Sequence, residues 1–157
     1  MKVLGKIIYL YSGEPVFIDE EDYAELSRYK WYLFKSEKWQ YAIRFEGNKT
    51  IFMHRQVMRV EDSNVYVDHR NGNGLDNRKH NLRMATNSQN QYNTGKKSNS
   101  KQKYKCIRQL KSGKFEVRMR LPNKTRLCKS VNTEQEAIAL YNSLAKEYHG
   151  EFAVLIE

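Results

Sequence analysis

Apolar and polar positions alternate with changing period along this chain, and the changes mark its elements. Lys6 to Tyr11 reads as a strand, Ser12-Gly13-Glu14-Pro15 as a turn, and Val16 to Ile18 as a second short strand. The acidic run Asp19-Glu20-Glu21-Asp22 then opens a helix predicted to reach about Tyr29, because negative charge suits the unpaired N–H groups of a first turn. Its place just before Tyr23 and Leu26 marks a helix start rather than a metal site. Strands follow at Trp31 to Phe34, Trp39 to Phe45 and Thr50 to Met53, with Gly47-Asn48 turning the chain between the last two. The alternation in Tyr41-Ala42-Ile43-Arg44-Phe45 predicts one covered and one open face. Trp31 and Trp39 are both expected in the core, with base stacking as the alternative role, and a short helix runs from His54 to about Arg59 with Val57 and Met58 turned inward.

The next stretch predicts strand, loop, strand and helix. Tyr66 to Asp68 extends, Asn71 to Gly74 supplies residues tolerant of positive φ, Leu82 to Met84 returns, and Thr86 or Asn87 caps a helix through about Asn93. Asp68 and His69 would point to opposite faces of a regular strand, so sharing one phosphate requires the strand to break there. Residues 95–103 carry no apolar side chain and read as a basic linker. From Tyr104 the period returns to two, with strands at Tyr104 to Leu110, Phe115 to Leu121 and Thr125 to Val131. Phe115, Val117, Met119 and Leu121 share one face of the middle strand, and Glu116, Arg118 and Arg120 the other. Thr133-Glu134-Gln135-Glu136 is a capping box, and Ala137, Tyr141, Leu144, Ala145 and Tyr148 form one stripe of a helix that Gly150 stops.

These elements predict an α+β protein in four parts. They are a β-rich unit at 1–60, a strand-loop-strand-helix segment at 61–94, the linker at 95–103, and a three-stranded antiparallel sheet packed on one helix at 104–157.

Length and composition refine this picture in three respects. At 157 residues with 39% hydrophobic content, the chain suits one ordinary domain or two small ones, with several small cores. It has no apolar run of membrane-spanning length, and its first residues lack a signal-cleavage pattern, so neither membrane insertion nor secretion is expected. The two cysteines, Cys106 and Cys128, are too few for a zinc knuckle and read as buried free thiols in a reducing cytoplasm.

Charge adds a partner. The formal net charge is +10, but Lys96 to Lys129 holds thirteen Lys and Arg against one acid, Glu116, so this block carries +12 and the rest −2. Such concentration of one sign points to a polyanion, and nucleic acid is the expected partner.

Candidate chemistry concentrates in V-D-H-R-N-G-N-G-L-D-N-R-K-H-N-L-R-M-A-T-N-S-Q-N-Q-Y-N, residues 67–93. Asp68 offers a hard carboxylate oxygen and Asn90 a neutral amide oxygen, donors suited to Mg²⁺. His69 changes protonation near neutral pH and suits a general base. A calcium loop would need ligands at every second position and a late glutamate, and a zinc site on His69 and His80 would lack further ligands. Turn-forming Asn and Gly residues alone would make an ordinary loop.

The order and spacing single out more than composition does. Asp68 and His69, then Asn81 twelve residues after the histidine, then Asn90 nine further on, resemble the H-N-H nucleases, in the phage homing-endonuclease variant with asparagine at the last position. The resemblance implies a ββα-metal fold in which His69 activates water, Asp68 and Asn90 bind one divalent cation, Mg²⁺ or Mn²⁺, and Asn81 braces the loop. The string M-H-R-Q-V-M at 53–58 also resembles the stretch upstream of the motif in phage members, and His54 is read there as a packing or phosphate-contacting residue.

Residues 101–155 carry a second resemblance, to the three-stranded-sheet DNA-binding domain of plant ethylene-response transcription factors. It rests on Y-K-C-I-R at 104–108, G-K-F-E-V-R-M-R at 113–120 and T-E-Q-E-A-I-A-L-Y from 133. By that resemblance Lys105, Arg108, Arg118 and Arg120 enter the major groove, where paired arginine donors match the two acceptors of guanine. Cys106 and Lys129 stand where the family usually has glycine. Lys96, Lys97, Lys101 and Lys103 in the linker are expected to track phosphates.

The expected function is a divalent-metal-dependent DNA endonuclease of the homing type, acting on double-stranded DNA as monomer or dimer. Two other readings are a DNA-binding regulator with an inactive nuclease centre, and an RNA-binding module that stacks bases on its eleven tyrosines.

Overall fold

The computed structural model describes residues 5–36, 39–93 and 102–157, and the chain divides into two compact units, Met1–Asn87 and Ser88–Glu157. The first opens with an antiparallel hairpin of β1 (Gly5–Tyr9) and β2 (Pro15–Asp19), followed by α1 (Glu20–Leu26). Next come the antiparallel meander β3 (Tyr32–Lys35), β4 (Gln40–Glu46) and β5 (Lys49–Phe52), then α2 (Met53–Val57). A second hairpin of β6 (Tyr66–His69) and β7 (Leu82–Ala85) completes it.

Element order follows the sequence pattern, with shifted ends. The first helix stops at Leu26, short of the expected Tyr29, and Trp31 donates its indole N–H to the Leu26 carbonyl at 2.8 Å, anchoring the chain as it leaves. Asp19 holds the N-cap position without a side-chain cap bond; its carboxylate accepts the Lys79 N–H at 2.7 Å instead. Lys79 also pairs with Glu21 and Asp22, so the acidic run holds a lysine of the central motif as well as opening a helix.

One apolar core passes through this unit. Val16 and Ile18 of β2, Leu26, Trp31, Ala42, Met53 and Val57 meet Val67, Leu75 and Leu82 from the central motif. The segments 1–60 and 61–87 therefore share their hydrophobic interior. Backbone pairing reinforces it: Phe17 donates to the Leu75 carbonyl at 2.9 Å and accepts from the Asn77 N–H at 2.7 Å. Trp31 is 1% exposed, as expected, but Trp39 is 36% exposed, a correction explained by its place in the connection between β3 and β4, outside both strands.

The second unit contains most of α3 (Asn87–Tyr92) and the sheet β8 (Ile107–Gln109), β9 (Phe115–Arg120) and β10 (Arg126–Val131), in order β10-β9-β8, followed by α4 (Glu134–His149). Val117 and Met119 bury against Ala137, Tyr141, Leu144 and Ala145, the face and stripe that the alternation predicts. Thr133 and Glu136 form the reciprocal capping box. Strand β8 is shorter than predicted because Cys106 takes φ 65°, a left-handed conformation that interrupts extended pairing. Cys106 is partly buried and Cys128 exposed, correcting the expectation that both thiols are buried; Cys128 lies on a strand with few covered side chains.

Candidate active site

Register places the two central residues. β6 pairs with β7 so that Asp68 faces Arg83 and His69 faces Leu82, and extended pairing persists through His69. The strand ends there, and Gly72, three residues on at φ 72°, closes a turn by donating to the His69 carbonyl at 2.9 Å.

Asp68 and Arg83 form a buried ion pair. Arg83 Nε and Nη2 reach the same oxygen, Asp68 Oδ2, at 2.8 and 2.7 Å, and both side chains are 6% exposed. A buried carboxylate held this way keeps its direction, because rotating it would leave two charges unpaired in a dry site.

His69 is also buried, and its Nε2 lies 3.2 Å from Asn77 Oδ1. An amide oxygen accepts, so Nε2 carries the proton and Nδ1 keeps the lone pair. Burial lowers the His69 pKa, opposed by the Asn77 bond and by the charges of Asp68 and Asp76. The ring is therefore neutral at pH 7, as a base must be.

Asn81 spans the loop. Its Nδ2 donates to Asn71 Oδ1 at 3.0 Å and to the Asp76 carbonyl at 2.8 Å, while its Oδ1 accepts the Asn71 N–H at 3.0 Å. Asp76 adds an ion pair to Arg78 at 2.7 Å and accepts from Asn71 at 3.0 Å. The loop also presses on β4: a Cβ on Gly74 would lie 2.0 Å from the Gln40 carbonyl oxygen, so only glycine fits.

Two rings complete the surroundings of His69. His54 is buried, with its ring centroid 5.1 Å from that of His69 and 5.1 Å from that of Tyr41. Burial, aided by the nearby His69 and Arg55, pulls the His54 pKa down to about 3, so it carries no charge at working pH. Tyr41 lies 5.8 Å from His69, and burial together with the Asp68 charge raises its phenol pKa.

The remaining expected site residues belong to the second unit or the linker. Asn90 lies on α3, whose last carbonyls, Gln91 O and Tyr92 O, accept from Lys105 Nζ at 3.2 and 3.1 Å. Tyr92 stacks on His149 with centroids 3.9 Å apart and planes 8° from parallel. On the open face of the sheet, Arg108 and Arg118 converge on Glu116 at 2.8 and 3.2 Å, and Arg120 is exposed. Lys103 pairs with Glu134 at 2.8 Å, which raises its pKa. Lys96, Lys97 and Lys101 lie outside the described residues.

Asp68 thus lies in the first unit and Asn90 in the second. Among the described residues no three His, Cys, Asp or Glu side chains gather as a metal cluster. The donor chemistry of a carboxylate with an amide oxygen nevertheless fits a hard divalent cation that keeps several waters. Asn77, Arg83 and Tyr41 are the site neighbours that sequence reading passes over, and they become neighbours through register and loop closure; His54 carries a signal there, through its M-H-R string.

Residues 59–92 match the family model described as HNH endonuclease. An uncharacterized HNH endonuclease of Acanthamoeba polyphaga mimivirus is 33% identical over 146 residues, covering 90% of this chain and 74% of the relative. No solved structure matches. A buried aspartate-histidine pair at the end of β6 with a braced loop after it, and a relative similar over nearly the whole chain, place this protein in the HNH endonuclease family.

Proposed function

We propose that the chain is a metal-dependent DNA endonuclease of the homing type, with His69 as general base. The observation that carries this reading is the buried His69, held by Asn77 at 3.2 Å and adjacent to Asp68 at the end of β6, in a chain that matches the HNH family. Asp68 and Asn90 are the residues proposed to hold one Mg²⁺ or Mn²⁺. Bound there, the ion supplies positive charge to a phosphate and to the departing 3′ oxygen. Asn81 keeps the loop closed behind His69, and the Arg83 pair fixes Asp68, so the side chains need little reorganisation when substrate arrives. The C-terminal unit, read as a sheet of the ethylene-response-factor type, would engage duplex DNA through Arg108, Arg118 and Arg120, with the linker lysines and Lys103 along the backbone. Lys105, given the same role by sequence, spends its ammonium on α3 in the DNA-free chain. The proposed parts are a nuclease part ending near residue 94, a linker at 95–103, and a DNA-binding part from 104.

The test is cleavage of supercoiled plasmid with Mg²⁺ or Mn²⁺, with EDTA as control. The parent chain converts plasmid to nicked or linear product, and His69→Ala cuts at least about a hundred-fold more slowly. Equal cutting by both chains would remove His69 from the reaction. A second reading, a DNA-binding regulator with an inactive centre, draws on the Arg83 guanidinium occupying Asp68 Oδ2. It predicts tight, salt-sensitive DNA binding with intact plasmid under every metal, unchanged by Asp68→Asn.

A further inference from the structure

The face of β3 and β4 that turns away from the core is aromatic. Leu33 and Ala42 pack in the core or against it, whereas the alternate residues Phe34 and Tyr41 form a direct cross-strand pair on the other side. Their rings lie 6.5 Å apart and 16° from parallel, and Trp39, two residues before Tyr41, repeats the same 6.5 Å and 16° against the tyrosine. Tyr41 therefore joins the three rings into one bent row. Its middle member reaches His69 at 5.8 Å, while its ends are open, with Phe34 42% and Trp39 36% exposed.

A cleft of about 270 Å³ runs beside the open end. Lys35, Ser36 and Trp39 form one wall, and Gly72, Asn73 and Gly74 of the loop after His69 form the other. Aromatic cross-strand pairs stabilise sheets on their own, which would account for buried rings. Keeping a tryptophan and a phenylalanine at the surface does nothing for a core, and here the surface in question leads directly to the proposed base.

We propose that Phe34, Tyr41 and Trp39 form a ledge that receives the substrate DNA beside the scissile phosphate. A base or deoxyribose lies against the Trp39 ring, and Lys35 meets the neighbouring phosphate in the cleft. Duplex DNA is the occupant because the row is continuous with the centre that acts on it, and because it pairs flat apolar rings with a cation, the combination that matches a nucleotide. The proposal rests on the nuclease reading given above and extends it by naming where the substrate lies.

The chain has two tryptophans, and Trp31 is 1% exposed, so changes in indole emission on binding report Trp39. The experiment uses full-length His69→Ala in EDTA, which cannot cleave, titrated with a short duplex and with a single strand of the same length. Complex formation is followed by mobility shift and emission by fluorescence. The duplex quenches emission, and Trp39→Ala and Phe34→Ala, made in the same background, each weaken duplex binding about ten-fold. Trp39→Phe keeps the ring and binds within about two-fold of its parent, while its remaining Trp31 emission, blue-shifted and unquenched, verifies the fold. A duplex complex with unchanged emission overturns the ledge, as do alanine variants that bind like their parent. Quenching by the single strand alone overturns the duplex occupant. A change of oligomeric state in Trp39→Ala, seen by size-exclusion chromatography, would make the row a contact between copies and also overturn it. Failure of the nuclease reading is read separately, from uncut plasmid with the parent chain.

Discussion

Asn77 shows how much one buried amide can decide. Its backbone N–H is taken by Phe17 of β2 and its side-chain oxygen by His69, so the N-terminal hairpin reaches the base through one residue. Removing that acceptor lets the proton move between the two ring nitrogens, and a partner of this kind controls about ten- to a hundred-fold in function. Asn77→Ala is therefore expected to lower kcat by that amount with little change in KM. Nitrogen-15 shifts of the His69 ring should turn from one tautomer to a mixture. An unaltered tautomer would show that Asn77 does not set the protonation of the His69 ring. No spacing rule isolates Asn77, because an Asn in an Asn- and Gly-rich loop reads as turn chemistry until the chain closes.

At the scale of elements, α3 is the instructive case. Six residues are far below the ~12–15 at which an isolated helix becomes stable in water, so its stability has to come from contacts. Two of them are the Lys105 ammonium on its final carbonyls and the Tyr92 ring on His149, the residue that ends α4. His149→Ala should speed hydrogen exchange at the α3 amides, whereas His149→Phe, which keeps a flat ring, should leave it near the parent rate; equal exchange in both variants would remove the stack as the cause. The sequence shows the amphipathic stripe of α4 and its capping box. It gives no sign that His149 holds the helix bearing Asn90.

For the whole molecule, the buried histidines tie stability to pH. The His54 pKa is lowered from 6.5 to about 3, so between those values the unfolded chain binds the extra proton and the folded chain does not. Stability is therefore full above pH 6.5 and falls as pH drops toward 3, with a slope of up to about 1.4 kcal/mol per pH unit from this residue. His69, shifted in the same direction, adds to the loss. Urea midpoints of the parent should decline between pH 6.5 and pH 5, and His54→Phe should flatten that decline; parallel curves would show that His54 does not carry it. Charge belongs to this scale as well. The +12 block from Lys96 to Lys129 is a property of the chain whatever its fold, and only its local pairing, such as Arg108 and Arg118 on Glu116, had to be seen in three dimensions.

Local chemistry was legible without a fold: the periodicities that make the C-terminal sheet and helix, the capping box at Thr133, the basic block, and the order Asp68, His69, Asn81, Asn90. Each depends on residues close in the chain or on spacing that survives as a motif. Long-range closure decided the rest. The core shared between 1–60 and the motif, the Arg83 partner of Asp68, the Asn77 partner of His69 and the open position of Trp39 come from strand register and loop packing. Such contacts join residues whose separation along the chain has no fixed period, so only the folded chain brings them together.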